Sequence, residues 1–185
     1  MSHMKVFHDS DPSTCVWDSS EPSAIANALA EHGIRFEQWP THANLQAGSP
    51  SDQVLSAYKE QIEHLCSEQG YQTVDVISLN GTLPEVAANV PQLREKFLSE
   101  HTHSEDEVRF FVAGQGLFSL HLKGKVFEVL CQRGDLISVP AGTEHWFDMG
   151  ACPQFAAIRF FNNPEGWVAN YTGKTIAENF SRLEY

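Results

Sequence analysis

The stretch His101-Thr102-His103-Ser104-Glu105-Asp106-Glu107-Val108-Arg109-Phe110-Phe111-Val112-Ala113-Gly114 decides how this chain is read. Two imidazoles and a carboxylate come first, and an apolar run closed by a glycine follows. A second framed segment answers it further on: Gly134, five residues, then Pro140-Ala141-Gly142-Thr143-Glu144-His145. Residues two apart on a strand point to the same side, so His101 and His103 share a face. On a straight strand Glu107 would stand about 13 Å from His103, at ~3.3 Å per residue, too far for a common ion. The chain must therefore turn through Ser104-Glu105-Asp106, with Glu107 opening the return strand. Arg109, two residues on, then lies on the same inward face. Pro140 to Thr143 have a tight-turn composition, and they start a strand carrying His145 and, on its face, Phe147. The reading is one metal ion held by His101, His103, Glu107 and His145 on a small β-barrel.

The sequence around these segments supports a β architecture. From residue 106 short runs alternate with turn signals: Val108–Val112, Leu117–Leu122, Lys125–Leu130, Leu136–Val139, His145–Phe147 and Phe155–Phe161. Regularly spaced short strands of this kind indicate a sandwich or barrel. Lys123-Gly124-Lys125 reads as a hairpin turn. Upstream, Pro22 and the Ala-rich residues that end at Gly33 predict a helix with proline near its start and glycine past its end. Val54, Leu55, Tyr58, Ile62, Leu65 and Cys66 recur at three- and four-residue steps and predict one helix over residues 51–69. Residues 71–79 are strand-like, and a short helix over about 91–100 delivers the chain to His101. A further short helix is expected near residues 175–183.

Composition bounds the function. A chain of 185 residues, 42% hydrophobic, builds one domain with a sizeable core. A formal net charge of −12 argues against nucleic acid or an anionic membrane surface as a partner, and no apolar run approaches the ~20 residues that span a bilayer. Met1-Ser2-His3 reads as an expression scar before Met4. Residues 4–100 are expected to supply N-terminal strands and helices, 101–162 the metal-binding barrel core, and 163–185 a C-terminal extension. Cys15, Cys66, Cys131 and Cys152 form no C-x-x-C pair and are read as free thiols in a reducing cytoplasm. Asn80-Gly81-Thr82 matches a glycosylation triplet, which without secretion is background.

Three nitrogens and one oxygen, with no thiolate, are unlike structural zinc, which prefers cysteine and closes at four ligands. A six-coordinate ion such as Fe(II), Ni(II) or Mn(II) would keep two open positions for a chelating substrate. Glu105 and Asp106 read as solvated turn residues. His121 lies on the polar side of its strand and is expected to face water, while His8, His32, His42 and His64 have no partner at ligand spacing. Arg109 either seats a substrate anion or pairs with Glu105 or Asp106. Phe97 and Phe147 either wall a pocket or belong to the core. Arg159 sits on the Phe155-Ala157-Phe161 side of its strand and needs a partner there. Trp146 and Trp167 read as packing residues.

These motifs resemble the cupin superfamily and, more closely, the acireductone dioxygenase family. The likeness rests on residues 101–114, on Val139-Pro-Ala-Gly-Thr-Glu-His-Trp-Phe-Asp148, on Ile158-Arg-Phe-Phe161 and on Ile34-Arg-Phe-Glu-Gln-Trp39, and it covers nearly the whole chain. Cupins often carry Asn four residues after the last histidine, where Met149 stands here; that position is not a ligand. The resemblance implies a mainly β fold with N-terminal helices and a cupin-type barrel (a double-stranded β-helix, or jelly roll). It implies one Fe(II) or Ni(II) ion per chain on His101, His103, Glu107 and His145, with Arg109 catalytic; position along the chain adds Phe97, Phe147 and Arg159 as expected substrate contacts. It further implies a methionine-salvage enzyme acting on an acireductone and O2; the chain itself is expected to be cytoplasmic and a monomer, with an oligomer as the alternative. The alternatives are another cupin dioxygenase or isomerase, or a non-enzymatic metal-binding cupin; the complete ligand set disfavours the last.

Overall fold

The segment Glu107–Ala113 is buried along its whole length, so both faces of this strand must be covered by other parts of the chain. The computed structural model shows how. It describes residues 1–185 apart from Ala43, Pro164, Gly166, Trp167 and Tyr185, so the packing role expected of Trp167 lies outside the described residues. The elements in chain order are β1 (His3–His8), β2 (Asp11–Ser19), α1 (Pro22–Ala30), β3 (Arg35–Gln38), α2 (Ser51–Ala57), α3 (Lys59–Gln69) and β4 (Thr73–Asn80). They continue with α4 (Pro84–Ala87), α5 (Val90–Leu98), β5 (His101–Thr102), β6 (Glu107–Ala113), β7 (Gln115–Leu122) and β8 (Lys125–Gln132). The last are β9 (Asp135–Val139), β10 (Glu144–Asp148), β11 (Gln154–Phe161), β12 (Asn170–Tyr171) and a 3-10 turn at Ile176–Asn179.

The strands form two antiparallel sheets. One has seven strands in the order β12-β5-β10-β7-β8-β1-β2, the other five in the order β3-β9-β6-β11-β4. Between them lies the main core, with Phe118, Leu120, Val129 and Phe147 from the larger sheet meeting Phe111, Ile137, Phe155 and Ala157 from the smaller. Val108, Phe110 and Val112, on the other face of β6, pack instead with Val54, Tyr58 and Leu65 of the α2–α3 region. Period-two alternation thus splits β6 between two cores. A third cluster joins Trp146, Val126 and Phe7 to Ala177 and Phe180, so Trp146 is a packing residue under the C-terminal turn.

The strands expected from residue 106 onward are present, with β6 to β11 extending the predicted runs by a few residues at most. Lys123 and Gly124 form the two-residue hairpin loop between β7 and β8. Both have positive φ (49° and 75°), the backbone a tight hairpin needs and glycine adopts freely.

Several features differ from expectation. The helices are not N-terminal: β1 and β2 precede them and complete an edge of the larger sheet, while α2 and α3 cover the apolar outer face of the smaller one. The sheets are two open arrays rather than one closed barrel, because they meet through side chains and not through backbone pairing. The single helix expected over residues 51–69 breaks at Tyr58 (φ −109°, ψ 19°). There the buried ring stands edge-on to Phe110, and the hydroxyl accepts the His42 amide at 3.0 Å. The helix expected near 175–183 is a single 3-10 turn. Residues 1–3 belong to the fold: Ser2 is buried and donates to Asp135, and His3 opens β1 opposite Leu130.

Candidate metal centre

The site is built from the rims of both sheets. His101 lies on β5 directly opposite His145 on β10. The chain leaves β5 after Thr102, bends at Ser104 and Glu105, and enters β6 at Glu107, so the turn that spacing required is there. Asp106, in the turn, accepts the Ala141 amide at 2.9 Å on the exposed side, while the His103 carbonyl accepts the Gly142 amide at 2.9 Å. The two framed segments of the sequence are thereby stapled to each other.

One ligating nitrogen from each of His101, His103 and His145 lies within 4.8 Å of the other two, and all three residues are buried. Their Nδ1 atoms each donate to a backbone carbonyl: His101 to Ser99 at 2.7 Å, His103 to Val168 at 2.9 Å and His145 to Thr143 at 2.8 Å. That hydrogen bond sets the tautomer and aims the Nε2 lone pair inward, as a metal site requires. Glu107 closes the group, with Oε2 2.7 Å from His145 Nε2 and 3.5 Å from His103 Nε2.

Electrostatics favour the same protonation states. Burial, reinforced by the nearby His145, lowers the His101 pKa to about 4. Burial also lowers that of His103, against the pull of Glu107. Burial would raise Glu107, but Arg109, His145 and His103 outweigh it and hold the carboxyl well below its ordinary value. Neutral imidazoles at His101 and His103 and an ionised Glu107, converging in a desolvated pocket, suit a divalent cation.

Arg109 is buried, and its Nη2 lies 2.5 Å from Glu107 Oε1. Its partner is therefore Glu107 rather than Glu105 or Asp106. The guanidinium carbon stands 4.4 Å from the Phe147 ring centroid, 5.3 Å from Phe118 and 5.8 Å from Phe97, a cation–π cage. Its Nε is buried with no protein acceptor. A recess beside the centre is lined by Phe97, His103, Glu107, Arg109, Arg159 and Phe161. Arg159 makes two bonds to Asp75 of β4, at 2.8 and 2.6 Å. Of the two alternatives for Phe147, its surroundings match the core one. It is wholly buried and does not line the recess, and its ring fills the space beside Gly116, where an added Cβ would come within 2.5 Å. Phe161 was missed, although it stands two residues after Arg159 on the same face.

His121 corrects an expectation. It is half-buried among carboxylates, with Nδ1 2.6 Å from Glu100 and Nε2 3.3 Å from Asp9, and does not simply face water. The four cysteines are free thiols. Among the described residues no helix is long and apolar enough to cross a membrane.

Fold and centre together define a class: a two-sheet β protein with a buried three-histidine, one-carboxylate metal site. The particular family follows from comparison with known proteins. The model of the ARD/ARD' family matches residues 3–169, and the chain belongs to that family. It is 56% identical over 184 residues to an acireductone dioxygenase of Pseudomonas fluorescens (strain Pf0-1), covering 100% of this chain and 99% of the relative. It is 55% identical to one from Alcanivorax borkumensis, covering 98% of each. Its structure resembles an acireductone dioxygenase from Bacillus anthracis with a cadmium ion in the active centre. That match has a TM-score of 0.76 and 30% identity, and covers 92% of this chain and 98% of that one. The chain is thus a metal-dependent dioxygenase, an oxidoreductase, and the non-enzymatic alternative falls away.

Proposed function

We propose that the chain is an acireductone dioxygenase of methionine salvage. The substrate would be 1,2-dihydroxy-3-keto-5-(methylthio)pentene. With Fe(II) and O2 it would yield formate and 4-methylthio-2-oxobutanoate. With Ni(II) it would yield formate, carbon monoxide and 3-(methylthio)propionate. The observation that carries this reading is the convergence of His101, His103, Glu107 and His145 in a chain aligned end to end with relatives of that name. These four residues would hold one ion per chain, which when bound supplies Lewis-acid chemistry and open positions for a chelating enediolate.

Each remaining residue has a task its surroundings support. The Arg109 guanidinium, fixed by Glu107 and its aromatic cage, would present the unpaired Nε–H to a substrate anion at no reorganisation cost. Phe147 would act from beneath, holding Arg109 in place. Phe97 and Arg159 line the recess and would bound the methylthio side of the substrate, with Phe161 beside them. We read the two facing sheets as the walls of a cupin-type barrel within a single domain. The enzyme would act as a monomer in the cytoplasm, where its thiols stay reduced, without a nucleic-acid or membrane partner.

The test is O2 consumption with synthetic acireductone after reconstitution with Fe(II) or Ni(II), with product analysis. Turnover with both ions and a metal-dependent product set is expected. No turnover with either ion overturns the reading.

A further inference from the structure

Behind the metal-facing side of the larger sheet lies a second polar cluster. By strand alternation Glu100 and Glu144, which immediately precede His101 and His145, project to the opposite face from those ligands. His121 on β7 pairs in register with Glu144, and its ring reaches both carboxylates: Nδ1 is 2.6 Å from Glu100 Oε2 and 3.3 Å from Glu144 Oε2. Asp9 stands at the other ring nitrogen, 3.3 Å away. The Glu100 side chain is 0% exposed. It also accepts the Thr172 hydroxyl at 2.7 Å, and Lys174 lies 3.6 Å from it while binding both Glu144 oxygens at 2.7 Å. Glu100, His121 and Glu144 have metal-ligand spacing among themselves. The Lys174 ammonium already supplies the cation there, so the cluster is a closed network rather than a second ion site.

Its position is informative because the backbone beside it is weak. β5 is two residues long and has a single registered pair with β10, His145 opposite His101. β12 adds two pairs on the other edge of β5, but against β10 itself one pairing leaves the short strand free to shift. The separation of those two imidazoles sets the width of the metal centre, so something else must hold β5 against β10. We propose that Glu100 and His121 are positioning residues: a side-chain clamp across β5, β10 and β7 that fixes the spacing of His101 and His145 from behind. Neither residue touches the ion or the substrate. Burial makes the clamp stiff, since Glu100 withdrawn from water must keep its partners.

The inference rests on the metal-ligand reading above, and the experiment separates the two. Co(II) is titrated into the metal-free full-length protein, following its visible d–d bands, for wild type, His103→Ala, Glu100→Ala, His121→Ala and His121→Gln. One equivalent bound by wild type and loss in His103→Ala uphold the ligand set; stoichiometric binding by His103→Ala overturns that set alone. Glu100→Ala and His121→Ala are expected to weaken Co(II) roughly 10- to 100-fold, the range for residues supporting metal ligands, and to shift the bands. His121→Gln, which can still donate to Glu100, recovers most of both. Val54→Ala, in the distant helix-covered core, lowers Tm without changing Co(II) affinity or spectrum. The clamp is refuted if Glu100→Ala and His121→Ala bind Co(II) with wild-type affinity and bands. It is equally refuted if Val54→Ala weakens Co(II) as much at a matched loss of Tm. Should either alanine variant fail to fold, Glu144→Gln at the half-exposed end of the network must show a smaller change in the same direction, and its absence refutes the clamp.

Discussion

The two sheets hold their halves of the metal centre by different physics. The rim of the seven-stranded sheet offers His101, His103 and His145, rings steered by hydrogen bonds to the carbonyls of Ser99, Val168 and Thr143. The five-stranded sheet offers Glu107, an ion kept buried by Arg109, with Arg159 paired to Asp75 on the neighbouring strands. Backbone steering sets direction and leaves charge out of the balance. Ion pairing sets charge, and makes each partner depend on the other. Substitutions on the two sides should therefore fail in different ways.

The largest effect is expected on the imidazole side. His103→Ala removes a ligand outright, so metal affinity should fall by more than the roughly 10- to 100-fold of a supporting residue. Elemental analysis after dialysis should find the variant metal-free while its metal-free fold melts close to wild type; full occupancy would break the assignment. On the ionic side, Arg109→Met strands a buried carboxylate. Urea unfolding of the metal-free variant should show a loss of about 3–5 kcal/mol, the cost of halving a buried pair. Added Ni(II) should restore part of that loss by supplying the missing positive charge. No recovery with metal would mean that Glu107 does not meet the ion.

Asp148 offers the same physics away from the centre. Burial would raise its pKa, but Arg94, at 2.7 and 2.8 Å, and the amides of Gly150 and Leu183 keep it below its ordinary value. A carboxyl with a depressed folded-state pKa stabilises above its unfolded value of about 3.9, and loses that contribution as pH falls through the folded value. Asp148→Asn should thus cost about 2 kcal/mol at pH 7, a charged hydrogen bond's worth. The gap to wild type should close as unfolding is followed down through pH 4 to pH 3. A gap independent of pH would place the effect in packing instead. The smallest change is expected at Arg159→Ala. Its partner Asp75 has a side chain 44% exposed, so stability should fall by less than about 1 kcal/mol. A rise in KM at unchanged kcat would mark Arg159 as binding substrate in ground state and transition state alike.

Much of this was legible from residue order, because the relevant rules are local. Period-two alternation put Glu107 and Arg109 on one face, and chain geometry demanded the bend before Glu107. Turn residues marked the strands after residue 106. The helical stripe over 51–69 was legible too, but its break at Tyr58 was not, because it reflects where one ring meets Phe110 and one hydroxyl meets His42. His121 misled for a related reason. On its own strand it occupies the polar face, and polarity reads as water until Glu100, Asp9 and Glu144 arrive from three other segments.

By itself the sequence determined the ligand types, the strand rhythm that presents them, the turn between His103 and Glu107, and membership of the family. These depend on residue chemistry and on spacings within a dozen residues. Tertiary structure alone decided that the sheets stay open and face each other, that helices shield the smaller one, and that Arg109 pairs with Glu107 over a floor of aromatic rings. It also decided that a buried network stands behind the metal ligands. Those outcomes depend on which distant surfaces lose water together, and desolvation is a property of the assembled chain.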